Sequence, residues 1–578
     1  MLHLANDARI AQPAGLWIAA LLSALVAAGP VAAQTVPSTV EPGRVPQRLE
    51  PPRTPGVDTR IEIPQAPTAV PPERARQIRF VLRGVTVNGS TVYTAQQLAP
   101  YYQNLVGREV SLLEVYRVAN QITARYRTDG YVLSQAVVPQ QQIREGVVQI
   151  LVVEGRINRV IIRGTPASVV HPAGDYNYLL RYAERLKASQ PVTQRELERY
   201  LLLLNDFPGM RVSGVLVPSD QPGTADLIVE TTYKRIDAYA SIDNRGSRFL
   251  GPYQSEVSAA LNGVIDSGDR LLYRYVASLF QPRELQFHEL RFQTPFLDYG
   301  TIFEVWGNYA RTRPGFTLRP LDIEGTSWSW NVKFRHPIIR TRGLNVWVYG
   351  GFNWQNSEND VLTATFSDDR LRVFRYGGTY EAVDELRGVT FVDFQISHGA
   401  AILGARGDSR FDADSSFTKF NLDVQRNQSI WGPVSAFAQF TGQWADQPLL
   451  APEQFGLGGR TYGRAFDPSE KTGDHGLAVA VELRYTIEDL KMPMLDLPTT
   501  LQFYGFGDWG RVYHIHNPGT DSRLTFEQLA SAGVGMRFTI GPRLSGQIEG
   551  AVPLDGRVAS LGTEGRNWRA FFILNARY

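Results

Sequence analysis

The residues of this sequence best suited to a specific interaction are an arginine, Arg464, and an aspartate, Asp508. Arg464 lies in a glycine-rich segment between two stretches in which apolar and polar residues alternate. Asp508 ends a run in which Gln502, Tyr504, Phe506 and Asp508 share one face by alternation, and its polar members mark that face as wet. A carboxylate there can simply be solvated, or it can accept a charge-assisted hydrogen bond from the arginine's guanidinium. The chemistry this pair offers is an ionic lock.

The sequence offers no comparable signal for catalysis. It has no Walker loop, no Gly-x-Ser-x-Gly elbow and no paired-histidine zinc motif, so no catalytic residues, no enzyme activity and no cofactor are predicted. The absence of cysteine excludes thiolate metal sites and disulfides. His514 and His516 fit a solvated strand end better than a metal pair, so no metal is predicted. A net charge of +2 gives no case for nucleic-acid binding.

The first 77 residues predict export followed by a tether. Residues 1–33 contain one short apolar run, Leu16–Ala28, and small residues before Gln34, which predicts a cleaved signal peptide; the alternative is a retained anchor. Residues 34–77 contain ten prolines and predict an extended, mobile tether, because interior proline costs a helix about 3 kcal/mol. A short helix around Arg44–Glu50 stays possible.

Two similar units of about eighty residues follow, 78–155 and 156–234. Each predicts a strand, two helices and two closing strands. The capping-box pairs Ser111/Glu114 and Thr193/Glu196 start the main helix of each unit. An unpaired sheet edge in such a domain could accept a strand from another chain, and a passive spacer is the alternative.

In residues 235–578 apolar and polar residues alternate with a period of two. This pattern predicts about sixteen strands of a membrane barrel. Closure pairs every backbone group in lipid, with apolar side chains outward and polar ones toward a wet lumen. A soluble β-sandwich is the alternative, and a last strand ending on an aromatic residue weighs against it. The clearest alternating segments are Ser327–Arg335, Lys419–Asn427, Leu477–Thr486, Leu544–Val552 and Asn567–Tyr578.

The long loop at 446–476 is predicted to be ordered and to fold inward, because its glycines allow tight turns and its aromatic residues allow packing.

At this point the chain resembles the two-partner secretion transporters (TpsB) of the haemolysin-activator and filamentous-haemagglutinin-exporter type. The resemblance spans the tether, two POTRA-type repeats, of which the second carries Asn205–Gly209, and a sixteen-stranded barrel. It implies a loop tip whose arginine, Arg464, pairs with Asp508 on an inner wall strand. Ala465 stands where the family's tip usually has glycine, which predicts strain if positive φ is required there. The residues that carry the resemblance, with a barrel signal in the last strand, are Gly463, Arg464, Ala465, Phe466, Gly473, Asp474, Gly476, Phe503, Phe506, Asp508, Gly510, Phe572, Leu574 and Tyr578.

The resemblance implies secretion of one dedicated, large, β-rich exoprotein, recognised through its N-terminal secretion domain. It places the chain in the outer membrane of a Gram-negative bacterium, with the POTRA repeats in the periplasm. Outer-membrane lipid and the barrel-assembly machinery are the other implied partners. Two alternative functions stay open, a barrel-assembly factor of the same superfamily and a passive porin.

Overall fold

A computed structural model of the chain describes residues 37–50, 61–62, 72–164, 178–221, 223–297, 299–410, 412–492, 495–515 and 526–578. The predicted signal peptide at 1–33 lies outside the described residues. The described chain forms two small α/β domains followed by a closed β-barrel.

The first small domain packs its main helix, which begins after the capping box of Ser111 and Glu114, against a three-stranded sheet of order β3-β6-β5. For this unit the sequence predicts an opening strand at Ile78–Gly84 and a first closing strand at Tyr131–Pro139. The first prediction is wrong as one element, because the strand is interrupted at Leu82 and its two parts belong to two sheets. Within the second range only Gln135–Val137 is a strand. The elements are α2 (Pro72–Gln77), β2 (Arg79–Val81), β3 (Gly84–Asn88), α3 (Ala95–Leu98), β4 (Glu109–Ser111), α4 (Leu112–Thr128), β5 (Gln135–Val137) and β6 (Val147–Val153).

The second small domain has a four-stranded sheet of order β1-β8-β9-β7 with two helices packed on it. Its outermost strand comes from the proline-rich segment, so part of one sheet edge is already occupied by the chain itself. The elements are β1 (Ile61–Glu62), β7 (Arg156–Gly164), α5 (Tyr178–Ala188), α6 (Gln194–Asn205), β8 (Met210–Pro218) and β9 (Thr224–Tyr233). No helix within the described ranges is long and apolar enough to cross a membrane.

The barrel closes by antiparallel pairing of its last strand with its first, and within the described residues it has sixteen strands. This confirms the predicted fold class and strand number. Two further short strands lie in the loop between β20 and β23. The wall strands are β10 (Ile236–Asp243), β11 (Gln254–Asn262), β12 (Arg270–Ser278), β13 (Leu285–Phe296), β14 (Thr301–Thr312), β15 (Glu324–Arg340), β16 (Leu344–Val361), β17 (Ala364–Val383), β18 (Gly388–Gly399), β19 (Phe417–Trp431), β20 (Val434–Ala445), β23 (His475–Met492), β24 (Leu495–Tyr513), β25 (Phe526–Ile540), β26 (Leu544–Asp555) and β27 (Arg569–Arg577).

The alternation along β15 shows which way the wall faces. Trp330 is 60% exposed and Phe334 is 42% exposed on the outside, whereas Ser327, Ser329 and Asn331 are buried on the inside. A soluble sandwich would bury the aromatic face and expose the serines. The inverted arrangement is that of a barrel with an apolar outer surface and a polar lumen.

Residues 38–48 are not an extended tether, and this part of the prediction is wrong. Two 3-10 turns and the short helix α1 (Val45–Arg48) lie inside the barrel, with Glu41 and Arg44 almost fully buried. Proline is tolerated in the first turn of a helix, so Pro42 and Pro46 start these turns rather than break them. Polar contacts with the barrel lumen replace the solvent that a tether would have met.

The turn after α6 joins the second small domain to the barrel, at the end of the barrel where β15 finishes. Asp206 accepts two hydrogen bonds from Arg340 at the end of β15, Nη2 to Oδ1 at 2.7 Å and Nε to Oδ2 at 3.0 Å. Asn205 closes the turn by bonding the backbone of Val212. Gly209, at φ 72°, has no room for a Cβ beside the carbonyl oxygen of Lys234. The Asn205–Gly209 segment therefore shapes the junction between domain and barrel.

Candidate functional site

The loop between β20 and β23, residues 446–474, lies inside the barrel, where its tip contacts wall residues. Its two arms pair as a short ladder, β21 (Phe455–Leu457) with β22 (Lys471–Gly473), and its tip reaches the wall formed by β23, β24 and β26. Gly510 on β24 lets the loop approach closely, because a Cβ there would collide with the side chain of Leu457. We call this segment loop 6, because it is the sixth in chain order of the loops at the end of the barrel opposite the two small domains.

Arg464 at the tip of loop 6 is 4% exposed and meets carboxylates from three wall strands. Its Nη1 donates to Glu482 Oε1 at 2.6 Å and lies 3.5 Å from Glu549 Oε2. Its Nε donates to Asp508 Oδ2 at 3.3 Å. The guanidinium carbon also lies 3.8 Å from the ring centroid of Phe506. The structure thus brings together the predicted pair, and it adds two carboxylates that sequence reasoning did not assign.

Asp508 holds the backbone of the tip as well as its arginine. Oδ1 accepts a hydrogen bond from the amide of Gly463 at 2.7 Å and another from Ser531 Oγ at 2.6 Å. The amide of Arg464 lies 3.5 Å from Oδ2. Asp508 is therefore a receptor for the tip as a whole.

The two additional carboxylates are shared with wall arginines. Glu482 accepts from Arg537, at 2.9 Å on each oxygen, and from Arg484 at 2.6 Å. Glu549 accepts from Tyr504 at 2.7 Å and pairs with Arg245. Because four arginines surround three carboxylates, the tip lies in a connected ionic network and not in an isolated pair. Alternation within Leu477–Thr486 and Leu544–Val552 places Glu482 and Glu549 on polar faces, but only the register of the paired strands brings both near Arg464.

Ala465 is accommodated without the predicted strain. The positive φ at the tip falls on Gly463, at 64°, and Ala465 is absent from the positive-φ positions of the described chain. Ala465 is fully buried, and its carbonyl oxygen accepts from Arg569 at 2.8 Å. Phe466 beside it packs in a buried cluster with Tyr504 and other wall residues, so the tip is held by apolar contacts as well.

Gly473, Asp474 and Gly476 lie at the base of loop 6, away from the tip. Gly476 faces Phe455, with no room for a Cβ. Asp474 is fully buried and bonds to residues of two neighbouring loops. Two other motif residues point outward, to the apolar face of the barrel. Phe503 of the inner-wall motif is 45% exposed, and Leu574 of the last strand is 37% exposed.

Residues 38–48 form a second obstruction that touches both the wall and loop 6. Glu41 accepts from Ser357 at 2.9 Å and from Asn359 at 3.0 Å on β16. Arg44 Nη1 donates to the carbonyl oxygens of Ala451 and Gln454, at 2.9 and 3.0 Å. Sequence reasoning missed this contact because proline content gave no sign of a lumen-facing partner.

Glu453 lies next to Arg44, in the arm of loop 6 that precedes β21, and anchors this arm to the wall. Its side chain is fully buried and forms ion pairs with Lys419 on β19 at 2.8 Å and with Arg375 on β17 at 2.6 Å. Within the described residues no cluster of three His, Asp or Glu side chains could hold a metal. Two segments of the same chain, residues 38–48 and loop 6, therefore occupy the polar bore and contact each other.

Comparison with known families matches residues 223–538 to the model for haemolysin secretion/activation proteins ShlB/FhaC/HecB, and residues 80–155 to the ShlB-type POTRA domain. The chain is 24% identical over 500 residues to the heme/hemopexin transporter protein HuxB of Haemophilus influenzae, covering 84% of this chain and 85% of that one. It is 21% identical over 479 residues to the outer membrane transporter CdiB of Dickeya dadantii, covering 80% and 82%.

Among solved structures, CdiB from Escherichia coli shares the fold with a TM-score of 0.70 at 17% identity, covering 99% of this chain and all of that one. CdiB from Acinetobacter baumannii has a TM-score of 0.61 at 18% identity, covering 87% and 90%. The family model alone spans more than half of the sequence. The chain belongs to the ShlB/FhaC/HecB family of haemolysin secretion/activation proteins, the outer-membrane transporters of two-partner secretion, with its ShlB-type POTRA domain in the periplasm.

Proposed function

We propose that this transporter exports one dedicated, large, β-rich exoprotein, which crosses the lumen unfolded and folds outside the cell. The observation that carries the proposal is that the bore is filled by two segments of the chain itself, residues 38–48 and loop 6. Hydrogen bonds and ion pairs to the wall help to hold both segments in place. Such contacts can be exchanged one by one for contacts with a passing polypeptide, whereas a close-packed apolar core cannot.

The polar inner wall supports passage of an extended chain. Hydrogen-bonding side chains on β15 and β16, such as Asn331, Asn353 and Gln355, line the lumen. They offer donors and acceptors to any backbone, and they form no apolar surface on which an unfolded chain would stick. This wall does not read sequence, so cargo selection is assigned to the periplasmic domains.

The first POTRA domain supports binding of the exoprotein's N-terminal secretion domain. On the outer face of β6, Val147 is 41% exposed and Leu151 is 39% exposed, and the neighbouring β3 lies at one end of its sheet. An extended segment can add to such an edge through main-chain hydrogen bonds while apolar side chains cover the valine and leucine. In the sheet of the second small domain β1 occupies part of the β8 edge, and we assign the binding to the first domain because of its exposed valine and leucine.

The remaining motif residues are assigned to insertion and closure. Phe572, Leu574 and Tyr578 on the last strand would present the signal that the barrel-assembly machinery reads, and would then contact outer-membrane lipid. Arg464 would hold loop 6 in the resting arrangement. Because no nucleotide is available in the periplasm, folding of the exported chain outside is the proposed driving force.

Secretion of the neighbouring gene product tests the function directly. A strain lacking this transporter should retain that exoprotein in the periplasm, and the wild-type chain should restore its release. Broad loss of other outer-membrane barrels in the deletion strain would instead indicate an assembly factor. Release of the exoprotein without the transporter would refute the proposal.

A further inference from the structure

Asp474, at the base of loop 6, joins three loops at the extracellular end of the barrel. Arg410 of loop 5 (residues 400–416) donates from Nη1 to both carboxylate oxygens, at 2.7 and 2.8 Å. The amide of Leu449, in loop 6 itself, donates to Oδ1 at 2.8 Å. The amide of Ile515, which begins loop 7 after β24, donates to Oδ2 at 2.8 Å. Every oxygen of this buried carboxylate therefore serves a cross-link between loops.

Arg410 reinforces the same junction. Its Nη2 donates to the carbonyl oxygen of Ile515 at 2.8 Å, and its Nε lies 2.6 Å from Asp412. The position of Asp474 is fixed by its own backbone, because its amide bonds to Tyr513 and its carbonyl oxygen accepts from Gln443 at 3.0 Å. Backbone contacts fix the acidic centre of the junction, and Arg410 is the loop 5 side chain that binds its carboxylate.

This junction shares no residue with the network around Arg464. The tip contacts reach wall strands through Glu482, Asp508 and Glu549, whereas Asp474 contacts other loops. The tip and the base of loop 6 are therefore held by separate sets of contacts, and loss of either set weakens the hold on the loop that fills the bore.

We propose that Asp474 and Arg410 form a second latch, which closes the extracellular mouth and must open before cargo can leave. The requirement that the latch open for export rests on the proposed function, whereas closure of the mouth to ions does not. Breaking the latch should open the mouth in the protein alone. Fixing it shut should stop export.

Conductance of the purified full-length transporter in planar bilayers tests closure without any cargo. We expect R410Q and D474N to open at least about tenfold more often than wild type, equivalent to ~1.4 kcal/mol. R406Q is the matched control: Arg406 lies in the same loop, but its side chain is 58% exposed and pairs with Asp368 at the surface. Its conductance should match wild type. Heat-modifiable migration on gels confirms that each barrel is folded.

R410Q decides the matter if D474N does not assemble, because R410Q leaves the carboxylate with its two amide donors. A folded R410Q barrel as closed as wild type would overturn the latch. An equal increase in R406Q would also overturn it, since any loss of positive charge in loop 5 would then suffice.

A reversible cross-link tests the need for opening. The amide of Ala451 in loop 6 lies 3.4 Å from Ser409 Oγ in loop 5, and the sequence contains no cysteine. The double variant S409C/A451C should therefore block export when oxidised and restore it on reduction. Export by protein with a verified disulfide would refute the proposal. If wild type itself exports nothing, the proposed function fails, and the conductance result still decides whether the latch closes the mouth.

Discussion

Arg464 donates to Glu482 across 2.6 Å, whereas its contact with Asp508 spans 3.3 Å. The closer partner is therefore the residue that also accepts from Arg484 and Arg537. Asp508 instead accepts from the amide of Gly463 and so fixes the backbone of the tip. Arg464 therefore contacts two carboxylates with different roles. Glu482 balances the charge of its guanidinium, and Asp508 positions the tip of the loop.

Removing the charge of Glu482 should therefore disturb loop 6 strongly. In E482Q three arginines lose a shared carboxylate, and breaking a buried ion pair costs about 3–5 kcal/mol. We expect the tip to leave its site and become open to added protease. E358Q is the control, because Glu358 is exposed on β16. A loop 6 as protected in E482Q as in wild type would contradict the central role of Glu482.

Replacing Arg464 tests whether the lock serves export or only assembly. R464A should abolish secretion of the exoprotein while the barrel still assembles, since the wall strands keep their pairing. R464K keeps one charge but not the two-sided geometry of the guanidinium, so we expect partial secretion. Secretion and heat-modifiable migration are measured together. Normal secretion by R464A would show that the lock is dispensable.

The contact between residues 38–48 and loop 6 predicts coupled release. R44A removes the donors to the partly buried carbonyl oxygens of Ala451 and Gln454, and loss of hydrogen bonds from a charged group costs about 1.5–3 kcal/mol. We expect more frequent ion-conducting openings than in wild type. R76A, which removes an exposed arginine of α2, should not change the conductance. Identical traces for R44A and wild type would sink this coupling.

Asp206 and Arg340 form a paired hydrogen bond at the junction between the second small domain and the barrel. D206N should weaken a paired hydrogen bond worth about 1.5–3 kcal/mol and increase protease cleavage near the junction. The neighbouring pair Glu198–Arg342 is longer, at 3.9 Å, so E198Q should have little effect. Equal cleavage of D206N and wild type would argue that other contacts hold the domain.

Glu154 makes the first POTRA domain sensitive to acid. Burial alone would raise its pKa, but hydrogen bonds from Thr91, Val92 and Tyr126 outweigh burial and hold the pKa of Glu154 below its usual value. Its stabilising contribution is therefore present above about pH 4.5 and is lost as the pH falls through the folded-state pKa.

Pulse proteolysis in urea measures this dependence on the whole chain. The wild-type domain should lose resistance to urea between neutral pH and about pH 3, and E154Q should start lower and change less. A wild-type domain as stable at pH 3 as at pH 7 would count against this assignment.

The sequence determined the architecture because each element carries its own period. Alternation along Ser327–Arg335 identified the two faces of a wall strand, and a capping box started α4 at Ser111. The pairing of Arg464 with Asp508 came from the family resemblance. These features depend on residues near one another in the chain or on a recognised motif.

Only the tertiary structure decided what fills the bore and which charges meet. Glu482, Asp508 and Glu549 lie on three strands within one run of four neighbours, and the register and curvature of the wall bring them around one guanidinium. Residues 38–48 looked like a tether because their partners, including Ser357 and Ala451, are hundreds of positions away. A buried polar segment is stabilised by groups that local sequence does not contain, and so composition by itself could not reveal it.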